Sequence, residues 1–152
     1  MAIRNVVQVG DDILRKKCFE VENFDEKLFQ LLDDMKDTVR KEDGAGLAAP
    51  QVGVLRRVVV VDVKEGFYEF VNPVIVEAKG KQTGYEGCLS VRGKRGVVTR
   101  PLVVKVEYSD RKGKRKKLVA RGFFARAVCH ELDHLDGILY TDRAETVEQV
   151  KE

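Results

Sequence analysis

The stretch "FFARAVCHELDHLDG", Phe123 to Gly137, indicates a helix that carries both histidines of the chain, His130 and His134. At about 100° per residue, the two histidines fall on one side of this helix, next to an apolar side. One turn, about 5.4 Å, separates them, so both rings can reach one metal ion. Glu131 lies at the boundary between the two sides, where a carboxylate without a partner is costly. The stretch therefore predicts a metal site with a catalytic carboxylate beside it.

A third ligand must come from elsewhere, because a catalytic zinc-type site takes three protein ligands and leaves one position for water. With no third histidine, the candidates are a downstream carboxylate, Glu145 or Glu148, and the cysteine Cys88 in "GYEGCLS". A thiolate at Cys88 would bind strongly, although a free cysteine is commonly a buried small hydrophobe. Cys129 points about 100° away from His130 and is not expected to be a ligand. Spacing alone leaves Cys88 and the carboxylates open.

Length and composition predict one soluble globular domain, 1–152. The 28 basic and 25 acidic residues nearly cancel, so no stable nucleic-acid binding is expected. A run of about 18 apolar residues, as a membrane span requires, does not occur in the sequence. We expect a cytoplasmic protein, since the start lacks a secretory signal and the cysteines are too scattered for a disulfide framework.

The periodicity predicts an α+β fold, with antiparallel sheet packed around the helix that carries the histidines. A first helix is expected from Asp25, a good N-cap, to Glu42, with Gly44 as its stop. The tail from Thr141 onward is expected to form a final helix capped at Thr141. Strands are expected at 56–63, 67–71, 74–78, 96–99, 102–110 and 116–121.

Three segments together resemble the peptide deformylase family: "GAGLAAPQ" (Gly44 to Gln51), "EGCLS" (Glu86 to Ser90) and "HELDH" (His130 to His134). The similarity extends from "IRNVVQVGDDILRK" near the start to "HLDGILYTDR" near the end. It implies an α+β fold with a long N-terminal helix. It also implies a metal-dependent hydrolase that removes the formyl group from formyl-methionine of newly synthesised polypeptides and releases formate.

The resemblance implies that Cys88 is the third ligand, beside His130 and His134. One divalent ion is then expected per chain. Ferrous iron is the ion implied in the cell, and zinc, nickel or cobalt are expected to substitute for it. A thiolate with two imidazoles suits several metals, so the ligands themselves do not decide between them.

Catalytic roles are implied by the same resemblance. Glu131 would carry the proton, while the side-chain amide of Gln51 and the backbone N–H of Leu89 would stabilise the oxyanion. From the sequence alone, Gln51 is better explained as a loop amide that bonds its own backbone. Glu86 is expected to hold the Cys88 loop in place through hydrogen bonds.

Substrate contacts are expected at five residues. Gly44 and Gly46 lack side chains, so a peptide can approach the loop and pair with it as an added strand; tight-turn geometry explains them equally well. Phe123 and Ala127 share the histidine side of the helix and are candidates for the methionine pocket, with core packing as the competing role. Arg95, in "GKRG", is implied by resemblance to contact the substrate backbone or carboxylate.

One departure from the family pattern is Arg92, which stands where members commonly have proline and removes a restraint on φ after the metal loop. The basic run Arg111 to Lys117 could make a transient contact with ribosomal RNA, although a solvated hairpin tip is favoured.

Two rival hypotheses are a metalloprotease that uses Glu145 or Glu148 as third ligand and a structural-metal or RNA-binding module. The second would have no use for Glu131 beside its ligand.

Overall fold

Two antiparallel sheets and three α-helices, one of them central, make up the molecule, whose computed structural model describes residues 2–150. The larger sheet has the order β1-β2-β3-β6-β7, and the smaller has the order β4-β5-β8. The strands are β1 (Gly46–Ala48), β2 (Val58–Val63), β3 (Gly66–Lys79), β4 (Gln82–Cys88), β5 (Val91–Arg100), β6 (Val103–Ser109), β7 (Arg115–Arg121) and β8 (Thr146–Gln149). The helices are α1 (Glu26–Lys41), α2 (Phe123–His134) and α3 (Tyr140–Arg143). The α+β prediction is confirmed.

Helix α1 covers one apolar layer of the larger sheet. The carboxylate of Asp25 accepts a hydrogen bond from the backbone N–H of Leu28 (3.2 Å), as its predicted N-cap role requires. Leu28, Leu32 and Met35 are buried on the side that faces β2. With 16 residues, α1 matches the predicted bounds but is a helix of ordinary length, not a distinctly long one.

Helix α2 is the central element and packs on the larger sheet. Gly122 caps it with φ +61°, a conformation that favours glycine. Its apolar side meets β2, β3 and β6 in a cluster that includes Phe70, Val104 and Val128. This packing buries nearly every residue of α2, so the histidine side lies inside the protein as well.

The predicted final helix is wrong. The chain makes one turn, α3, and then forms β8, which pairs with β5 through Gly96 opposite Val147. The reason is that the tail has few apolar residues at helical spacing, while β5 offers an open edge for pairing. Residues 151–152, which the prediction also covered, lie outside the described part of the chain.

Strand prediction was incomplete at two places. β3 is one strand with an irregularity near Asn72, whose φ is +50° and whose side chain bonds the backbone of Val21; two strands had been expected there. β4 was not predicted, because its two glycines depress strand propensity; pairing with β5 along its length stabilises it. β4 matters most for the site, since it ends at Cys88.

Among residues 2–150, the helices are all too short or too polar to cross a bilayer.

Candidate active site

Three metal-ligating side chains meet between β4 and α2. Cys88 ends β4, and His130 and His134 lie one turn apart on α2. One donor atom from each lies within 4.8 Å of the other two, and Cys88 Sγ is 3.4 Å from His134 Nε2. Within residues 2–150, Glu145 and Glu148 do not belong to this cluster, and the Glu148 carboxylate instead accepts a hydrogen bond from Arg95 (2.6 Å). The structure therefore brings Cys88, rather than a tail carboxylate, to the histidines.

The donors fit a divalent cation. Glu86 Oε1 lies 2.8 Å from Nδ1 of His130, which leaves Nε2 of that ring available as a ligand. Burial opposes protonation of His130, but Glu131, Cys88 and Glu86 outweigh it and raise its pKa well above the ordinary value. Burial and the neighbouring His130 lower the pKa of His134 well below its ordinary value. The groups around His130 therefore favour a positive charge at this place, which a cation bound to the rings would supply.

Glu86 is held by two buried arginines. Arg100 donates to both carboxylate oxygens (2.8 Å each), and Arg126 Nη1 donates to Oε2 (2.7 Å). Burial would raise the pKa of Glu86, but the bonds from Arg100 and His130 lower it to about 2. Arg100 also donates to Asp133 (2.7 Å), as does Arg143 (2.6 Å). Glu86 was expected to hold the Cys88 loop, but its carboxylate instead bonds the His130 ring and two buried arginines.

Glu131 is buried beside the metal donors. Its Oε1 has no hydrogen-bond partner among residues 2–150, and the residue is only 5% exposed. Burial raises its pKa to about 7, against the opposing effect of His130. A carboxyl group in this state can take up or release a proton near neutral pH.

Gln51 bonds both its own loop and a residue beside Cys88. Its Oε1 accepts from the backbone N–H of Ala48 (2.9 Å), the local bond that the sequence favoured. Its Nε2 donates to Ser90 Oγ (3.0 Å) and lies 3.5 Å from Cys88 Sγ. The amide therefore faces the metal donors, which spacing did not predict.

A cavity of about 320 Å³ opens next to these groups. Its lining includes residues of β1, an edge strand of the larger sheet, and of β4, an edge strand of the smaller sheet. Residues of α2 complete it. Residues expected to contact substrate or transition state that line it are Gly44, Gly46, Gln51, Leu89, Phe123, Ala127 and Glu131. Arg95 is not part of this lining. Its guanidinium stacks 4.0 Å above the ring of Tyr85, and Tyr85 does line the cavity.

Some site residues escaped the sequence analysis. Arg126 stands four residues before His130 and so lies on the same side of α2, which was a usable signal. Arg100 carries no sequence signal, because only pairing of β5 with β4 brings it to the site. Ser90 lies in the quoted "EGCLS" segment but was given no role. Gln8, from the N-terminal segment, donates to the backbone carbonyl of Leu89 (3.0 Å) and so ties that segment to the metal loop.

The fold and the site together define a metal-dependent hydrolase, because a cysteine sulfur, two imidazoles and a buried carboxyl group meet at an accessible cavity. The polypeptide deformylase family model matches residues 3–150. A peptide deformylase of Thermoanaerobacter pseudethanolicus is 50% identical over 100% of this chain and 99% of its own, and one of Caldicellulosiruptor bescii is 55% identical over 94% and 86%. The crystal structure of a class I type b peptide deformylase from Acinetobacter baumannii superposes with a TM-score of 0.92 at 39% identity, over 94% of this chain and 100% of that one.

The chain belongs to the peptide deformylase family. Its activity is the removal of the N-formyl group from newly synthesised polypeptides.

Proposed function

We propose that the cavity binds the N-terminal formyl-methionine of a nascent polypeptide, with Glu131 as the group that moves the proton. The observation that carries this proposal is the Glu131 carboxylate, buried beside Cys88 and His130 with Oε1 unbonded among residues 2–150. A divalent cation held by Cys88, His130 and His134 would act as a Lewis acid and make hydroxide available from water near neutral pH.

Glu131 acts first as base and then as acid. It accepts a proton from the attacking water, whose oxygen forms a bond to the formyl carbon. When the carbon–nitrogen bond breaks, formate leaves and Glu131 passes the proton to the amine nitrogen of methionine. Transfer of this kind contributes about 10²–10⁴-fold to the rate.

The negative charge on the formyl oxygen is stabilised by Gln51 and Leu89. Gln51 Nε2 lies 3.5 Å from Cys88 Sγ, so its N–H groups are close to the reacting centre. Leu89 follows Cys88 directly and lines the cavity, so we assign its backbone N–H the same role. One donor of this type contributes around 10²–10³ in rate.

The peptide binds as an extended strand between the two sheets. β1 and β4 are edge strands of their sheets, and residues of both line the cavity. Gly44 and Gly46 allow the peptide backbone to approach the β1 edge. Phe123 and Ala127 form the apolar surface for the methionine side chain. Arg95 contacts the peptide further along, next to Tyr85 at the rim.

Ferrous iron is the ion we propose for the cell, with zinc, nickel or cobalt as substitutes. The mixed donor set of one sulfur and two nitrogens binds all of these ions, so availability decides between them. We place the activity in the cytoplasm, where formylated chains are made. Metal analysis of anaerobically purified protein tests the choice: iron is expected at one ion per chain, and zinc at that level would contradict it.

A transient contact with the ribosome is proposed for the β6–β7 hairpin. Lys112 and Lys114 are exposed at its tip, whereas Arg111 is engaged by Glu69 and Asp33. Neutralising Lys112 and Lys114 should weaken co-sedimentation with ribosomes at low salt and leave turnover of short peptides unchanged. Equal co-sedimentation of the wild-type protein and the variant would contradict this contact.

Formate release from formyl-Met-Ala-Ser tests the proposed reaction. The metal-loaded protein should release formate and leave Met-Ala-Ser intact, and Cys88→Ser should abolish metal retention and turnover. Cleavage of the internal peptide bonds, in the formylated peptide and in its unformylated twin, would instead indicate a protease.

A further inference from the structure

Gly46 and Glu131 touch across the gap between β1 and α2. A Cβ built on Gly46 would lie 2.7 Å from both Cγ and Oε2 of Glu131 and 3.0 Å from its Cδ. Atoms that are not bonded pack at about 3.5–4.0 Å, so these distances are severe overlaps. The Glu131 carboxylate therefore fills the space in which a side chain at position 46 would begin.

The backbone of Gly46 does not itself require glycine. Eight glycines of the described chain have positive φ, and Gly46 is not one of them. It lies in β1 and pairs regularly with Val61 of β2, an environment in which β-branched residues are normally favoured. Glu131 is thus the neighbour that excludes a side chain at position 46.

The contact also restrains the Glu131 side chain. Oε1 has no hydrogen-bond partner among residues 2–150, so packing has to orient the carboxylate. A base has to lie within hydrogen-bond reach of its proton, and a misplacement of about 1 Å can cost 10²-fold in rate. Packing against Gly46 restrains the side chain without occupying the lone pairs that accept the proton.

We propose that Gly46 is a positioning residue. Because it has no side chain, the Glu131 carboxylate can occupy the space next to β1 and is held there by packing. This rests on the proposed function, in which Glu131 moves the proton. It differs from the role in which Gly46 only lets the peptide backbone approach, because that role predicts an effect on substrate binding alone.

Gly46→Ala tests the proposal in the nickel-loaded enzyme. The methyl group should displace the carboxylate and lower kcat by roughly 10²-fold, with KM changed less than about threefold and metal content unchanged. The overlap should also lower the unfolding midpoint by about 3–10 °C. A raised KM with unchanged kcat would overturn the proposal.

A double-mutant cycle isolates the contact. With Glu131→Ala the carboxylate is absent, so adding Gly46→Ala should no longer lower the unfolding midpoint. Gly44→Ala is the matched control, because its Cβ would meet Leu89 Cδ1 at 2.9 Å rather than Glu131. Its effect on the midpoint should be the same with and without Glu131→Ala.

The outcomes separate the two proposals. Full activity in Glu131→Ala would remove Glu131 from the reaction and so overturn the proposed function. An inactive Glu131→Ala together with normal kcat in Gly46→Ala would overturn only the positioning role. Gly46→Ala could also lower the unfolding midpoint equally with and without Glu131→Ala. That result would show that Gly46 is required for another reason and would overturn the positioning role.

Discussion

Oε1 of Glu86 lies 2.8 Å from Nδ1 of His130, so a carboxylate on β4 orients a metal-ligating ring on α2. Arg100 donates to both oxygens of that carboxylate, and Arg126 donates to Oε2. Glu86 and Cys88 are on the same strand, and the contact therefore links the strand that supplies the thiolate to the helix that supplies the imidazoles.

Glu86→Gln should weaken metal binding about 10–100-fold, because the His130 ring loses its anionic partner. It should also destabilise the protein by about 3–5 kcal/mol, since Arg100 and Arg126 remain buried without their carboxylate. Chelator competition and denaturant unfolding measure the two effects. The control is Glu77→Gln, an exposed carboxyl paired with Lys79, which should change stability by less than about 0.5 kcal/mol. Unchanged metal affinity in Glu86→Gln would contradict the assignment.

Glu131→Ala should retain one ion per chain and lose about 10²–10⁴-fold in kcat, since the metal donors stay in place and only the proton carrier is removed. Formate release and metal analysis on the same sample provide the measurement. Glu145→Ala, an exposed tail carboxyl once considered as a ligand, should keep both activity and metal. Loss of the ion in Glu131→Ala would make Glu131 a ligand instead.

Iron-loaded enzyme should lose activity in air faster than nickel-loaded enzyme, because iron promotes oxidation of the accessible thiolate. Cys88 is the cysteine at the cavity, whereas burial raises the pKa of Cys18 and Cys129 to about 11 and keeps them as unreactive thiols. Mass spectrometry of the aged iron enzyme should find added oxygen on the Cys88 peptide. Equal lifetimes of the two forms, or oxidation at Cys129 first, would be the contrary result.

Asp34 should contribute stability that is lost in acid. Burial opposes its ionisation, but hydrogen bonds from Ala2, Arg4 and Gln30 outweigh it and lower its pKa. Because the pKa of Asp34 is lower in the folded than in the unfolded state, its carboxylate stabilises the fold at pH values above the unfolded pKa of about 3.9. This stabilisation is lost as the pH falls through the folded pKa. The gap in unfolding midpoint between wild type and Asp34→Asn should therefore be constant at pH 5–7 and shrink below about pH 4. A gap that persists at low pH would exclude this origin.

Local pattern predicted the elements that carry their own periodicity. The cap at Asp25 and the apolar spacing placed α1, and the pair of histidines placed α2. The motif order pointed to the family, which the comparisons confirmed. The prediction for the C-terminal tail was wrong because its few apolar residues favour neither helical nor strand spacing. Pairing with β5 decided its conformation.

What the sequence determined by itself was the ligand pair and its neighbour: His130, Glu131 and His134 lie within two turns of one helix, so helical geometry alone sets their relation. Spacing alone left Cys88 open against Glu145 and Glu148; the family resemblance implied Cys88, and the tertiary structure brings its sulfur to the histidines. The arginines around Glu86 and the contact of Gly46 with Glu131 were decided by the tertiary structure alone. These residues are distant in the chain, and only the packing of two sheets against one helix brings them within bonding distance.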